Sequence, residues 1–124
     1  MSVVEHQAAL LARAERALAT ARLVLDDDPG ASVNRAYYAC FYLAQAALLG
    51  VGEEPKTHAG THNRFAFHFA RTARVSREVA DVLPYAAQVR ERADYGALVV
   101  TDARAASDLL ADAGRFVAAV RPLL

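Results

Sequence analysis

Val4, Leu11, Leu18 and Leu25 recur every seven residues, flanked by Leu10, Ala17 and Val24, while Glu5, Arg13, Glu15, Arg16 and Arg22 fall largely off that stripe. The spacing predicts an amphipathic helix over residues 4–25. Asp26-Asp27-Asp28-Pro29-Gly30 ends it, because Pro and Gly break helices, and Ser32 or a neighbour is expected to cap the next one. Three adjacent carboxylates before a proline read as a solvated turn rather than a metal site. Residues 33–49 differ in kind: they are apolar nearly all round, and Arg35 is their only charge. Such a helix belongs in the middle of a bundle. Arg35, Tyr38 and Tyr42 share one face of it, with Tyr37 and Phe41 on the neighbouring face.

GVGEEPKT, residues 50–57, reads as a loop, and Thr57 as the cap of a third helix over about 58–72, where His58, His62, Phe65 and Phe69 keep helical spacing. A link over Ala73 to Ser76 leads to a fourth segment over 77–94, with a break or kink expected near Leu83 because Pro84 follows. Gly96 is placed to end that segment as a residue with positive φ, and residues 97–100 read as a short loop. Thr101 is expected to cap a last helix that gathers Leu109, Leu110, Ala113, Phe116, Val117 and Val120 on one face. No repeat and no alternating strand pattern longer than four residues interrupts this. The expected fold is all-α, an antiparallel bundle of four or five helices forming a single domain over residues 1–124.

Composition agrees. The chain has 124 residues, 55% of them apolar, with 29 Ala against six Gly and four Pro, which excludes a disordered or fibrous protein and favours helix. Fourteen basic and 14 acidic residues give zero formal net charge, so a generic nucleic-acid coat or membrane-surface protein is not suggested. The longest uncharged run, Ala36 to Gly52, carries three tyrosines and a glutamine and reads as a buried helix rather than a membrane span. The lone Cys40 cannot form an intramolecular disulfide, and MSVVEHQAAL lacks the features of a secretory leader. A cytoplasmic location is expected.

Candidate chemistry is sparse. Arg35 on an apolar helix needs a partner or a cleft, and Asp94 is its best acid; the expectation is a buried ion pair between the second and fourth helices. His58 and His62 stand at i, i+4, but nothing in the sequence completes a metal site, and none is expected. His68 among phenylalanines reads as packing, and Cys40 as a small core residue. Residues 56–92 hold seven basic side chains against three acidic ones, a local excess that could meet phosphates or simply be solvated. GxSxG, P-loop, GxGxxG, CxxC and DNA-specific motifs are all absent, and no cofactor is expected.

Three segments point further. Asn34-Arg35-Ala36-Tyr37-Tyr38-Ala39-Cys40-Phe41-Tyr42 resembles the RAYYAxF signature of the HEPN superfamily of small helical domains. Lys56-Thr57-His58-Ala59-Gly60 is similar to its KTHxG loop, and Arg92-Ala93-Asp94-Tyr95-Gly96 to its ADYG-like segment. Order and spacing agree over roughly residues 4–121.

The resemblance implies a helical bundle that homodimerises, encoded beside a minimal nucleotidyltransferase in a toxin–antitoxin-like pair. It implies one polar pocket built from Arg35, Tyr38, Arg92, Asp94 and Tyr95, with Lys56 and His58 at its rim, binding a nucleotide, RNA or a partner protein. Family nucleases use an Arg and a His separated by four to six residues; Arg64 and His68 have only three between them and lie in the third helix. No His follows Arg90 or Arg92 here, since His68 is the last in the chain. The expectation is therefore a binding component without nuclease activity of its own. The enzyme alternative is a ribonuclease with a rearranged site on Arg92, Asp94 and Tyr95; the third alternative is a plain interaction scaffold. Tyr95, at a helix end beside a glycine, is the candidate acceptor of a transferred nucleotide, with flanking Arg90 and Arg92 to hold the incoming phosphates by charge-assisted bonds, set against a role packing on Arg35 to close the core.

Overall fold

The computed structural model describes residues 1–96 and 101–124, so the expected 97–100 loop lies outside the described residues. It is all-helical, with no strand among them. Helix α1 spans Val3–Val24 and is capped by Ser2, whose Oγ accepts from the Glu5 amide at 3.1 Å. Helix α2 spans Pro29–Leu49. It starts earlier than the sequence pattern suggests, because Pro at the first helical position lacks only an N–H that would be unpaired anyway. Asp28, not Ser32, is the cap: its Oδ1 accepts from the Ala31 amide at 3.1 Å. Ser32 is buried and donates to the Ala21 carbonyl at 2.7 Å, pinning α2 to α1. At the other end of the same antiparallel pair, Gln7 Nε2 donates to the Ala46 carbonyl at 2.9 Å.

Those two pins frame a seam of small residues. Ala14, Ala17 and Ala21 of α1 are buried, as are Ala36, Ala39 and Ala46, which lie on the face of α2 that carries Ser32. Small side chains let two helices approach closely enough for their backbones to accept side-chain hydrogen bonds. The outer apolar positions of α1 are not covered: Val4 is 74% exposed and Leu23 82%.

Helix α3, His58–Phe65, continues as a π-helical turn over Ala66–Ala70 and stops at Ala73, whose φ of 58° is left-handed. A single-turn helix α4, Arg77–Ala80, adjoins α5, Val82–Tyr95. The break falls at Asp81 rather than near Leu83. Pro84 lies in the first turn of α5, where a missing N–H costs no intrahelical bond. Helix α6 spans Ala103–Val120 and ends in a short 3-10 turn, Arg121–Leu123. Its cap is Asp102, which accepts from the Ala105 amide at 2.7 Å, and not Thr101. Gly96 does end α5, but at φ −78°, so it needs none of glycine's left-handed freedom.

Helix α2 is central and packs against α1, α3, α5 and α6. Val33, Tyr37, Cys40, Leu43 and Leu48 are fully buried on it, as its apolar composition requires. The far side of the core is aromatic: Phe65 lies 5.0 Å from Phe69 and 5.4 Å from Phe116 between ring centres. Among the described residues no helix is long and apolar enough to cross a membrane.

Candidate functional site

Tyr37 is the hub. Its side chain is fully buried, yet its hydroxyl lies 2.7 Å from His58 Nδ1 and 3.0 Å from His62 Nε2. A phenol has one proton, so Tyr37 donates to one imidazole and accepts the N–H of the other. The two histidines come from successive turns of α3, placed there by Thr57, whose Oγ1 accepts from the Gly60 amide at 2.9 Å. His58 also stacks on Phe41, with ring centres 4.1 Å apart. Both imidazoles turn toward the phenol and not toward a common empty point. Among the described residues no group of His, Cys, Asp and Glu is placed to hold a metal.

Both imidazoles are held below the usual histidine range. Burial does most of this; the Arg90 charge adds to it at His58, and His58 itself adds to it at His62. Both are therefore held toward the neutral form, in which an imidazole can accept a proton. Burial pushes the Tyr37 phenol up, so it stays protonated.

Arg90 of α5 faces this cluster. Its Nε donates to Asp94 Oδ2 at 3.1 Å and its Nη2 to the Tyr95 hydroxyl at 3.3 Å. Three phenol rings surround its guanidinium carbon: Tyr38 at 5.3 Å, and Tyr37 and Tyr95 at 5.7 Å each. Nη1 has no hydrogen-bond partner among the described residues. The result is an open cleft of about 440 Å³, lined by Tyr37, Tyr38, His58, His62, Arg90 and Tyr95, with Ala59, Ala87 and the carboxylate of Glu91 completing its wall.

The sequence-predicted residues divide. Tyr38, His58 and Tyr95 line this cleft, and Asp94 orients its arginine. The Arg35–Asp94 ion pair does not form. Asp94 is taken by Arg90, four residues away on the same helix, and by Asn34, whose Nδ2 donates to Oδ2 at 3.0 Å. Arg35 turns to the Asn34 carboxamide instead, donating from Nε at 3.1 Å and Nη2 at 2.9 Å, and lies 5.2 Å over the Tyr38 ring. It opens on a neighbouring cleft with Asn34 and Asp94. Tyr95 does not pack on Arg35 or close the core: it is 70% exposed and bonded to Arg90. Arg92 and Lys56 are exposed and line neither cleft.

His62 and Tyr37 are the residues that sequence reasoning left out of the pocket, and Arg90 entered only as a flank of Tyr95. The signals for Arg90 and His62 were their i, i+4 spacings to Asp94 and His58. Nothing local marked the bond between Tyr37 and the histidines, which joins positions 21 and 25 residues apart.

His68, expected to be packing among phenylalanines, belongs instead to a polar constellation. His68 and Arg64 both bind Glu53, Arg64 through Nε at 2.7 and 2.9 Å, and together they tie the 50–57 loop to α3 away from the cleft.

The HEPN domain matches residues 7–123 of the chain. Among similar proteins, "UPF0332 protein glr0978" of Gloeobacter violaceus is 39% identical over 92 residues, 73% of this chain and 73% of its own. A "UPF0332 protein" of Thermotoga maritima is 32% identical over 113 residues, 90% of this chain and 86% of its own. A Methanocaldococcus jannaschii protein named "Putative toxin MJ0605" is 30% identical over 121 residues, 97% of this chain and 90% of its own. The match begins within α1 and runs through every helix to the final turn, and the chain belongs to the HEPN domain family.

Proposed function

We propose that this protein is the HEPN component of a toxin–antitoxin-type module, working with a nucleotidyltransferase, and that the Arg90 cleft binds the phosphate of a nucleotide. Two Methanocaldococcus jannaschii relatives carry "Putative toxin" in their names. The observation that carries the binding reading is Arg90 itself. Its guanidinium is oriented by Asp94, walled by three phenols, and retains an unbonded Nη1 beside two imidazoles held toward the neutral form. A guanidinium so held is preorganised for a charge-assisted bond to a phosphate oxygen. Exposed Tyr95, hydrogen-bonded to the same arginine, is reachable as the acceptor of a transferred nucleotide.

Calorimetric titration with AMP tests the binding. The wild type binds, and Arg90→Ala weakens it about tenfold or more, the worth of one lost charge-assisted bond. Absence of binding to the wild type overturns the reading. Intact-mass measurement after incubation with ATP and the proposed nucleotidyltransferase partner tests the transfer. A nucleotide adduct lost in Tyr95→Phe supports it; no mass gain with an active partner removes it.

One observation favours a second reading, metal-independent RNA cleavage. The sequence after Arg90 offers no histidine, but the fold supplies His58 from α3. A neutral imidazole could take the proton of an attacking 2′-hydroxyl while Arg90 neutralises charge gathering on the phosphate. Under the first reading the lone protein leaves RNA intact in the presence of a chelator. Cleavage that disappears in both His58→Ala and Arg90→Ala would install the second.

A further inference from the structure

Arg35 is the only charge on α2, and among the described residues no carboxylate pairs with it. Its two recorded bonds go to a neutral carboxamide. The carboxylates of its own cleft are already engaged: Asp94 with Arg90 and Asn34, Asp28 with the Ala31 amide. A half-buried guanidinium without a counter-ion is an incomplete arrangement, because its desolvation is offset only when an anion arrives.

Its position relative to Arg90 gives this a direction. Both guanidiniums lie over the same ring, Arg35 at 5.2 Å and Arg90 at 5.3 Å from the centre of Tyr38, so their carbons are at most 10.5 Å apart. They are also joined by a continuous polar chain. Arg35 donates to Asn34, Asn34 donates to Asp94 at 3.0 Å, and Arg90 donates to the same Asp94 oxygen at 3.1 Å. This chain links the two cations, and the Tyr38 ring is in contact range of both.

We propose that Arg35 is a second phosphate subsite, and that the ligand of this protein carries two phosphate groups, one for each of the two arginines beside Tyr38. The inference rests on the Arg90 cleft holding the first phosphate and adds the class of ligand. A phosphate at Arg90 only leaves Arg35 uncompensated. Phosphates on the 3′ and 5′ sides of one ribose, or on successive nucleotides of a strand, satisfy both arginines. Arg35 acts as a fork, donating to phosphate oxygens with the N–H groups that Asn34 does not use.

The test compares AMP with adenosine 3′,5′-bisphosphate by calorimetry on the full chain. The bisphosphate binds the wild type about tenfold or more tightly than AMP, the gain of one further charge-assisted contact. Arg35→Gln removes that advantage, weakening the bisphosphate about tenfold more than it weakens AMP, while Arg90→Gln weakens both ligands alike. Arg35→Lys, which keeps the charge and the stem, retains part of the advantage and serves if the glutamine variant does not fold. A 5′-phosphorylated diadenylate identifies the source: matching the bisphosphate points to a nucleic-acid strand, and falling short of it points to a free nucleotide. Equal affinity for AMP and the bisphosphate overturns the second subsite alone. So does an Arg35→Gln effect that is the same on both. Failure of either ligand to bind the wild type removes the Arg90 reading together with it.

Discussion

Tyr37 carries two jobs in one side chain. Its ring fills the core of α2 and its hydroxyl holds His58 and His62. Removing only the hydroxyl, in Tyr37→Phe, leaves ring packing intact and strands an imidazole nitrogen at each end. A loss of about 1–3 kcal/mol is expected, the cost of unsatisfied part-buried polar groups, measurable by urea unfolding. The same histidines set a pH dependence. Their folded-state pKa values are lowered, so below the ordinary histidine value of about 6.5 the unfolded chain binds protons that the fold refuses. Stability is complete above that value, declines as pH falls through it, and levels off below the folded-state values. Glu53, held low chiefly by its hydrogen bond from Arg64, adds a separate loss only when pH drops beneath the ordinary carboxylate range. Melting curves from pH 7.5 to 5 are expected to show the histidine decline, and a His58→Gln, His62→Gln double variant to flatten it.

At the scale of elements, the helix ends explain two small residues. A Cβ on Gly60 would stand 2.9 Å from Thr57 Oγ1 and 3.3 Å from Pro55 Cβ. That glycine therefore lets Thr57 cap α3 while the preceding loop closes over it. Gly60→Ala is expected to cost about 1 kcal/mol, the worth of a cap, and to weaken AMP binding by shifting His58; an unchanged melting temperature and affinity would contradict this. Ala73 is the reverse case, a non-glycine at φ 58°. Ala73→Gly is expected to stabilise the protein by up to about 1 kcal/mol, since a left-handed residue with a Cβ costs about 1–2 kcal/mol and glycine's extra chain entropy takes back part. Most helices were legible from periodicity, but their caps were less so. Ser32 and Thr101 are both good capping types, yet Asp28 and Asp102 take the role, because capping depends on where the backbone turns and not on residue type alone.

Across the whole molecule, the uncovered apolar positions of α1, Val4 and Leu23, support the proposal of a two-fold dimer. Sedimentation at tens of micromolar, about the usual working range for such interfaces, is expected to give twice the chain mass. Val4→Asp with Leu23→Asp should shift it to monomer if α1 is the interface. In the core, Phe116 joins Phe65 on α3 to α6, and Phe116→Ala is expected to cost about 3–5 kcal/mol of unfolding free energy through the cavity it leaves.

Periodicity by itself determined the all-α class and the central place of α2, because burial follows directly from which positions are apolar. Residue type and spacing determined that Thr57 opens α3 and that Arg35 needs a polar partner. The partner itself was decided by tertiary structure. Asp94 lies within reach of Asn34 on α2 and, one turn away on its own helix, of Arg90; the nearer cation takes the carboxylate and leaves Arg35 to a carboxamide. The same holds for the histidine beside Arg90. Sequence order places no imidazole after it, whereas the packing of α3 and α5 against α2 brings His58 to its side through Tyr37. Side-chain pairing across helices is set by the angles and offsets at which they pack, and these depend on the whole core rather than on any one segment.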